Sequence, residues 1–206
     1  MIPKFITLEG IEGSGKSTSL STINNYLDSI ELDYFNTREP GGGPIGIPIR
    51  KLLLDKKTNI SPEVEMLLML ADRKDHVEQV IKPKLEEGKW VISDRYLDST
   101  TAYQGGGRQL DLQKIEIVNS VLNFPVPDLT ILFDLPVEEA LERASKRSQL
   151  DRFESEPLEF HERIRQTYLE LSQKEERFKI IDSSKNAEEV SREVIKIMSS
   201  FCNAGV

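Results

Sequence analysis

Residues Gly10-Ile-Glu-Gly-Ser-Gly-Lys-Ser17 fit the pattern G-x-x-x-x-G-K-[ST] and follow directly on an apolar run, Phe5-Ile-Thr-Leu-Glu9. This junction constrains the fold more than any other part of the chain. Glycines accept backbone angles that a Cβ forbids, so the loop can wrap tightly around an anion. Its backbone N–H groups then converge as a cradle for a polyphosphate. Lys16 can reach the β- and γ-phosphates, and the Ser17 hydroxyl is a ligand for Mg²⁺. The helix that follows turns its positive end to the same anion. Leu20, Ile23 and Leu27 recur at helical spacing, so strand, loop and helix come in the required order. A plain Gly/Ser surface turn is the alternative, and it leaves the two flanks without a reason.

The rest of the chain alternates in the same way. Strands are predicted near 4–9, 33–37, 90–94, 129–135 and 178–182, and helices over 16–30, 45–55, 62–86, 111–123, 136–147, 157–176 and 186–202. Strands separated by helices imply an α/β fold, with a mainly parallel five-stranded sheet covered on both faces. In such sheets ligands sit beyond the carboxyl ends of the strands, where the glycine loop falls. The 206 residues are expected to form a single domain, 1–206, with an inserted flap. Two helical stretches stand out. Glu63–Ala71 carries Met-Leu-Leu-Met-Leu and is apolar on most of its circumference, as in a core helix or one shared with a subunit interface. Pro83 should kink or end the same stretch.

Composition excludes several classes. The net charge of −8 argues against a nucleic-acid surface. No apolar run approaches the roughly 20 residues needed to cross a membrane. The first strand begins almost at the N-terminus, so no targeting segment is expected. The lone Cys202 fits a reducing cytoplasm. His76 and His161 have no partners at ligand spacing and read as ordinary helix residues.

Four further clusters carry chemistry. The strand Trp90-Val-Ile-Ser-Asp94 ends in Asp94, Arg95 and Tyr96. A carboxylate there suits Mg²⁺ or its water, and Arg95 suits a second phosphate; a simple strand-end ion pair is the alternative. Arg38-Glu39-Pro40-Gly-Gly-Gly43 places another arginine over the same sheet edge, or forms only a charged turn. Arg143, Lys146, Arg147 and Arg152 crowd the region after the fourth strand, as a solvated helix end or as a basic flap over a phosphate. In Asp98–Arg108, Thr100 and Gln104 share a face, with Tyr103 beside them, if the segment is helical. Such groups could read a base edge.

Taken together, the glycine loop with Glu12, Arg38-Glu39-Pro40-Gly41-Gly42, Asp94-Arg95-Tyr96 and Ser99 through Ala102-Tyr103-Gln104-Gly105 resemble thymidylate kinase from residue 4 to near the end of the chain. The resemblance implies a three-layer P-loop kinase fold with a mobile lid near 143–155. It implies transfer of the ATP γ-phosphoryl group to dTMP with Mg²⁺, in a cytoplasmic homodimer. It assigns Gly10, Ile11, Glu12, Gly13, Ser14, Gly15, Lys16, Ser17 and Thr18 to ATP, with Arg143 and Arg147 reaching from the flap. Ser17 and Asp94 would serve the metal. Lys16, Asp94, Arg95 and Arg147 would be catalytic. Arg38 and Arg95 would hold the dTMP phosphate, and Glu12 would lie against the 3′-hydroxyl. Arg73 and Thr100 would contact thymine, with Tyr103 and Gln104 around base and sugar. With no basic residue inside the loop and arginines in the flap, the chain looks like the bacterial subclass. One departure is Met69, where the family usually stacks a phenylalanine on thymine; a thioether packs on a ring but does not stack. A kinase for another acceptor, a GTP switch (whose Asn-Lys-x-Asp signature is absent) and an inactive homologue are the alternatives.

Overall fold

The computed structural model describes residues 2–147 and 150–203, apart from the Arg147 side chain. The strands are β1 (Phe5–Glu9), β2 (Tyr34–Arg38), β3 (Trp90–Asp94), β4 (Leu129–Asp134) and β5 (Phe178–Asp182). Among the described residues they form one five-stranded sheet in the order β2-β3-β1-β4-β5, every pairing parallel. The largely apolar, β-branched and aromatic character of β1, β3 and β4 accounts for their central places, because a strand covered on both faces needs apolar side chains on both. Every residue of β1 is buried.

Alternation along the strands sorts the core into layers. Ile6, Leu8, Ile92, Ile131 and Phe133 pack against Ile23 and Leu27 of α1 (Lys16–Ser29) and Val194 and Met198 of α9 (Ala187–Asn203). Phe5 and Val91 face the opposite layer, where Leu70, Val77 and Ile81 come from α3 (Pro62–His76) and the π-helical turn Val77–Ile81 that continues it. The helix α4 (Lys82–Glu86) follows without a break. Pro83 therefore does not end the stretch at once; it sits in the first turn of α4, directly after the π turn. The missing N–H and the ring of a proline disturb the turn before it, and the widened π turn takes up that disturbance.

The segment predicted only conditionally as helical is helical throughout, as α5 (Leu97–Thr100) and a π-helical run, Thr101–Gly107. Glycines at 105–107 argue against a helix on propensity alone. Here they admit close neighbours: Gly105 faces Leu112 and Ile115, and Gly106 and Gly107 face α8 (Leu158–Lys174). A Cβ on Gly107 would stand 2.6 Å from Phe160, and one on Gly106 would stand 2.1 Å from Thr167. Close packing between these helices overrides propensity.

The remaining helices are α2 (Gly46–Leu54), α6 (Leu112–Leu122) and α7 (Val137–Arg147). The loop between β2 and α2 lies flat on α3. Asp72 accepts the Gly41 N–H at 2.9 Å, and Asp75 accepts the Ile45 N–H at 3.1 Å. Gly42 sits so close to His76 that a Cβ would stand 2.3 Å from its ring. The Asp72 carboxyl is fully buried and is pushed up to about 6, first by burial and then by Glu39.

Two outcomes follow from this packing. Gly107→Ala would gain stability on helix propensity alone, but the clash with Phe160 makes it destabilising by ~1–3 kcal/mol, read as a lower urea midpoint with an unchanged slope. For Asp72, an unfolded aspartate titrates near 4, so between about pH 4 and 6 the folded chain holds the extra proton. Its stability then declines as pH rises, by up to about 1.4 kcal/mol per unit. Asp72→Asn removes that slope. Relative to the native chain it gains stability from about pH 4 to 6 and stays level above, and urea titrations at both ends of the window check it.

Candidate active site

The strand ends and the glycine loop open into one cavity of about 590 Å³. Glu12 through Thr18 line it, while Gly10 and Ile11 lie beneath and turn their carbonyls to Lys16. Gly15 caps α1 in a left-handed conformation, φ 90°, with no side chain hydrogen-bonded at the cap. The first N–H groups of α1 thus lack the usual side-chain acceptor, which suits an incoming anion. Lys16 donates to Gly10 O at 2.8 Å, Ile11 O at 2.9 Å and Ser14 Oγ at 3.3 Å. Burial, and then the Arg95 charge, bring its ammonium down to about 8.

Opposite the loop stand the arginines. Arg95 follows β3 with φ 73°, a backbone region that non-glycine residues seldom enter. Its N–H on Leu8 O at 3.0 Å and the Ser93 hydroxyl on its carbonyl at 2.7 Å hold it there. Such strain, held by its surroundings, concentrates at functional sites. Arg95 Nη2 donates to Glu12 Oε1 at 2.8 Å, and Tyr103 Oη donates to Glu12 Oε2 at 2.6 Å. Burial pushes Glu12 up, but Arg95 and Lys16 outweigh it and hold the carboxyl below its ordinary value. Arg38, exposed at the end of β2, reaches the same cavity.

Arg50 joins them from α2, donating to Pro40 O at 2.9 Å, and burial and then Arg38 lower its basicity. The sequence reading did not single out Arg50. Its only signal was the basic pair Arg50-Lys51 on the largely apolar Ile47–Leu54 stretch.

The far end of the cavity gathers Met69, Arg73, Thr100, Tyr103 and Gln104. Arg73 is 2% exposed and fully engaged: Nε on Glu39 Oε2 at 2.7 Å, Nη1 on Thr100 Oγ1 at 2.8 Å, and Nη2 on Tyr96 O at 2.8 Å. Glu39 Oε1 also meets His76 Nδ1 at 2.9 Å, and His76 Nε2 meets Thr37 Oγ1 at 2.6 Å. His76 is therefore part of the buried support of Arg73 and more than a helix residue. Gln104 Nε2 donates to Glu65 Oε1 at 2.8 Å, and Glu65 also pairs with Arg108 and Arg152.

Of the flap arginines, Arg143 lines the cavity and is tethered to Ser183 O at 2.9 Å and Glu139 Oε1 at 2.6 Å. Arg147 closes α7, and its side chain lies outside the described residues. Arg152, within the same 143–155 segment, donates to Leu53 O at 2.7 Å and pairs with Glu65 at 2.8 Å. A buried carboxylate such as Glu65 draws in a nearby cation, because an unpaired buried charge is costly.

Asp94 Oδ1 is buried without a hydrogen-bond partner, and the Ser17 hydroxyl opens on the same cavity. These are hard oxygen donors. They fit a Mg²⁺ that takes its remaining ligands from water and phosphate, a common habit of that ion. Among the described residues, no group of three or more His, Cys, Asp or Glu side chains forms an all-protein metal cage.

A family model described as thymidylate kinase matches residues 8–194. The chain is 48% identical over 195 residues to a thymidylate kinase of Carboxydothermus hydrogenoformans, covering 93% of this chain and 94% of that one. It is 49% identical over 194 residues to one of Halothermothrix orenii, covering 92% and 93%. A thymidylate kinase of Neisseria meningitidis is 42% identical over 200 residues, covering 96% and 97%. A glycine loop and a set of arginines around one cavity agree with that likeness, and the chain belongs to the thymidylate kinase family.

Proposed function

We propose that the chain transfers the γ-phosphoryl group of ATP to dTMP, giving dTDP and ADP. The observation that carries this is the single cavity lined both by the phosphate loop and by Arg38, Arg50 and Arg95. Two anions must meet there, and they repel each other. The backbone N–H groups of the loop and Lys16 take the ATP phosphates. Arg38, Arg50 and Arg95 draw in the phosphate of the acceptor. Arg73, Thr100, Tyr103, Gln104 and Met69 surround its base and sugar, with Glu12 against the 3′-hydroxyl. The loop carbonyls release Lys16 when phosphate oxygens replace them. In-line transfer then needs little covalent work from the protein, since positioning and charge stabilisation supply most of the catalysis.

Ser17 and Asp94 would hold Mg²⁺, which would supply positive charge against the phosphates. The segment 143–155 acts as the lid of the single domain, bringing Arg143 and Arg147 to the γ-phosphate and excluding water.

A homodimer in the cytoplasm completes the reading. The lone Cys202 is unpaired and buried, as suits a reducing compartment. No helix among the described residues is long and apolar enough to cross a membrane. Leu67 on α3 is 59% exposed and Val121 on α6 is 77% exposed, which is apolar surface for a second copy to cover. Sedimentation at micromolar concentration should give a dimer; a clean monomer overturns this part.

The lid assignment is checked by kinetics. Arg147→Ala should lower kcat for dTMP ~10²–10³-fold, less than the ~10³–10⁵ of an arginine supplied in trans, because Arg143 substitutes in part. In an ADP-release assay with ATP, Mg²⁺ and dTMP, an unchanged kcat removes Arg147 from the mechanism.

A further inference from the structure

Behind Arg95 lies a buried polar cluster that phosphoryl transfer does not use directly. Glu9, at the end of β1, is fully buried and accepts three hydrogen bonds. Its Oε1 takes the Tyr96 N–H at 2.8 Å. Its Oε2 takes the Ser99 hydroxyl at 2.7 Å and the Tyr168 hydroxyl at 2.7 Å. Arg95 Nη1 lies 3.3 Å from both of those hydroxyl oxygens. We propose that Glu9, acting through the hydroxyls of Ser99 and Tyr168, is the positioning residue that aims Arg95 at the acceptor phosphate. This rests on Arg95 being a ligand of that phosphate, as argued above.

The argument is one of proton direction. A hydroxyl has one proton to give and lone pairs to offer, whereas an ionised carboxylate only accepts. With both protons given to Glu9, the two hydroxyls can offer only lone pairs elsewhere, and Nη1 is the donor that meets them both. The Ser99 and Tyr168 oxygens also approach each other at 2.8 Å. Once both protons are spent on Glu9, that contact has none of its own, and the neighbouring guanidinium offsets the crowding of lone pairs. The cluster thus has one polarity, from guanidinium to hydroxyls to carboxylate.

The second arm of Arg95 is held by Glu12, so the guanidinium is fixed on two sides. Its backbone could not do this alone, since φ 73° is a sparsely populated region. The three supports come from β1, α5 and α8. Tyr168 is 1% exposed, so packing locks its hydroxyl in place.

Glu9→Gln keeps the shape but puts an N–H₂ where a carboxylate oxygen stood. That amide donates to the hydroxyls, and their protons turn toward Arg95. Tyr168→Phe removes one oxygen and leaves Ser99 to serve. Steady-state kinetics at about pH 8, above the value of about 7 to which burial raises Glu9, separate these cases. Glu9→Gln should raise the KM for dTMP ~10-fold or more, as for a lost charge-assisted hydrogen bond, and Tyr168→Phe only a few-fold. The KM for ATP should stay unchanged in both. The double variant Tyr168→Phe/Ser99→Ala should approach Glu9→Gln.

A purely structural role would lower the melting temperature and weaken both substrates together, which overturns the proposal. So does an unchanged dTMP KM in Glu9→Gln. If Glu9→Gln does not fold, the two hydroxyl variants decide: a dTMP-selective loss supports the proposal, and its absence overturns it. Arg95→Ala keeps the underlying reading apart. An unchanged dTMP KM there removes Arg95 from the phosphate site, and the positioning role falls with it.

Discussion

Two phosphate groups repel, and a protein that brings them together must collect positive charge in a place where water is scarce. The structure is organised around that constraint. Buried cations are themselves expensive unless each is paired and hydrogen-bonded. Lys16 is therefore held by loop carbonyls, Arg95 by Glu12, and Arg73 by Glu39. The acidic residues are as much part of the site as the basic ones. A chain with a net charge of −8 can serve polyanions because its positive groups converge on one cavity while its negative groups support them from behind.

The sheet makes this convergence possible. Placing β1 and β3 side by side in register sets Leu8 opposite Asp94, so the glycine loop and the Asp94-Arg95 turn leave the sheet at the same height. β2 pairs Arg38 with Asp94 on the other side. Residues far apart in the chain thus meet because parallel strands end together, and short loops suffice to present them.

Much of this was legible in the sequence. The strands and the main helices carry strong periodicity, and the loop at 10–17 has a mechanism tied to each residue type. What escaped the reading depended on contacts between distant segments. Gly105–Gly107 look like a loop until α6 and α8 are seen to need their bare backbone. His76 has no local feature that predicts its bond to Glu39 across 37 positions. Arg50 is one of two adjacent basic residues on a largely apolar helix, and only the packing of α2 aims it, and not Lys51, at the cavity. Nothing local to Arg152 predicts its pairing with Glu65, which lies far away in the chain. Local chemistry could be read, whereas choices among competing partners could not.

The start of α1 carries a consequence beyond binding. Gly15 provides a tight turn and no side-chain acceptor, so the helix forgoes the side-chain part of an N-cap, roughly a few tenths of a kcal/mol. A polyphosphate seated on those N–H groups stabilises the folded chain and not the unfolded one, by an amount that grows with its concentration. Folding and ligand supply are thereby linked. A cell rich in nucleotide keeps more of this protein folded than a starved one, so the same backbone groups that grip the phosphate also tie the protein's persistence to the abundance of what it binds.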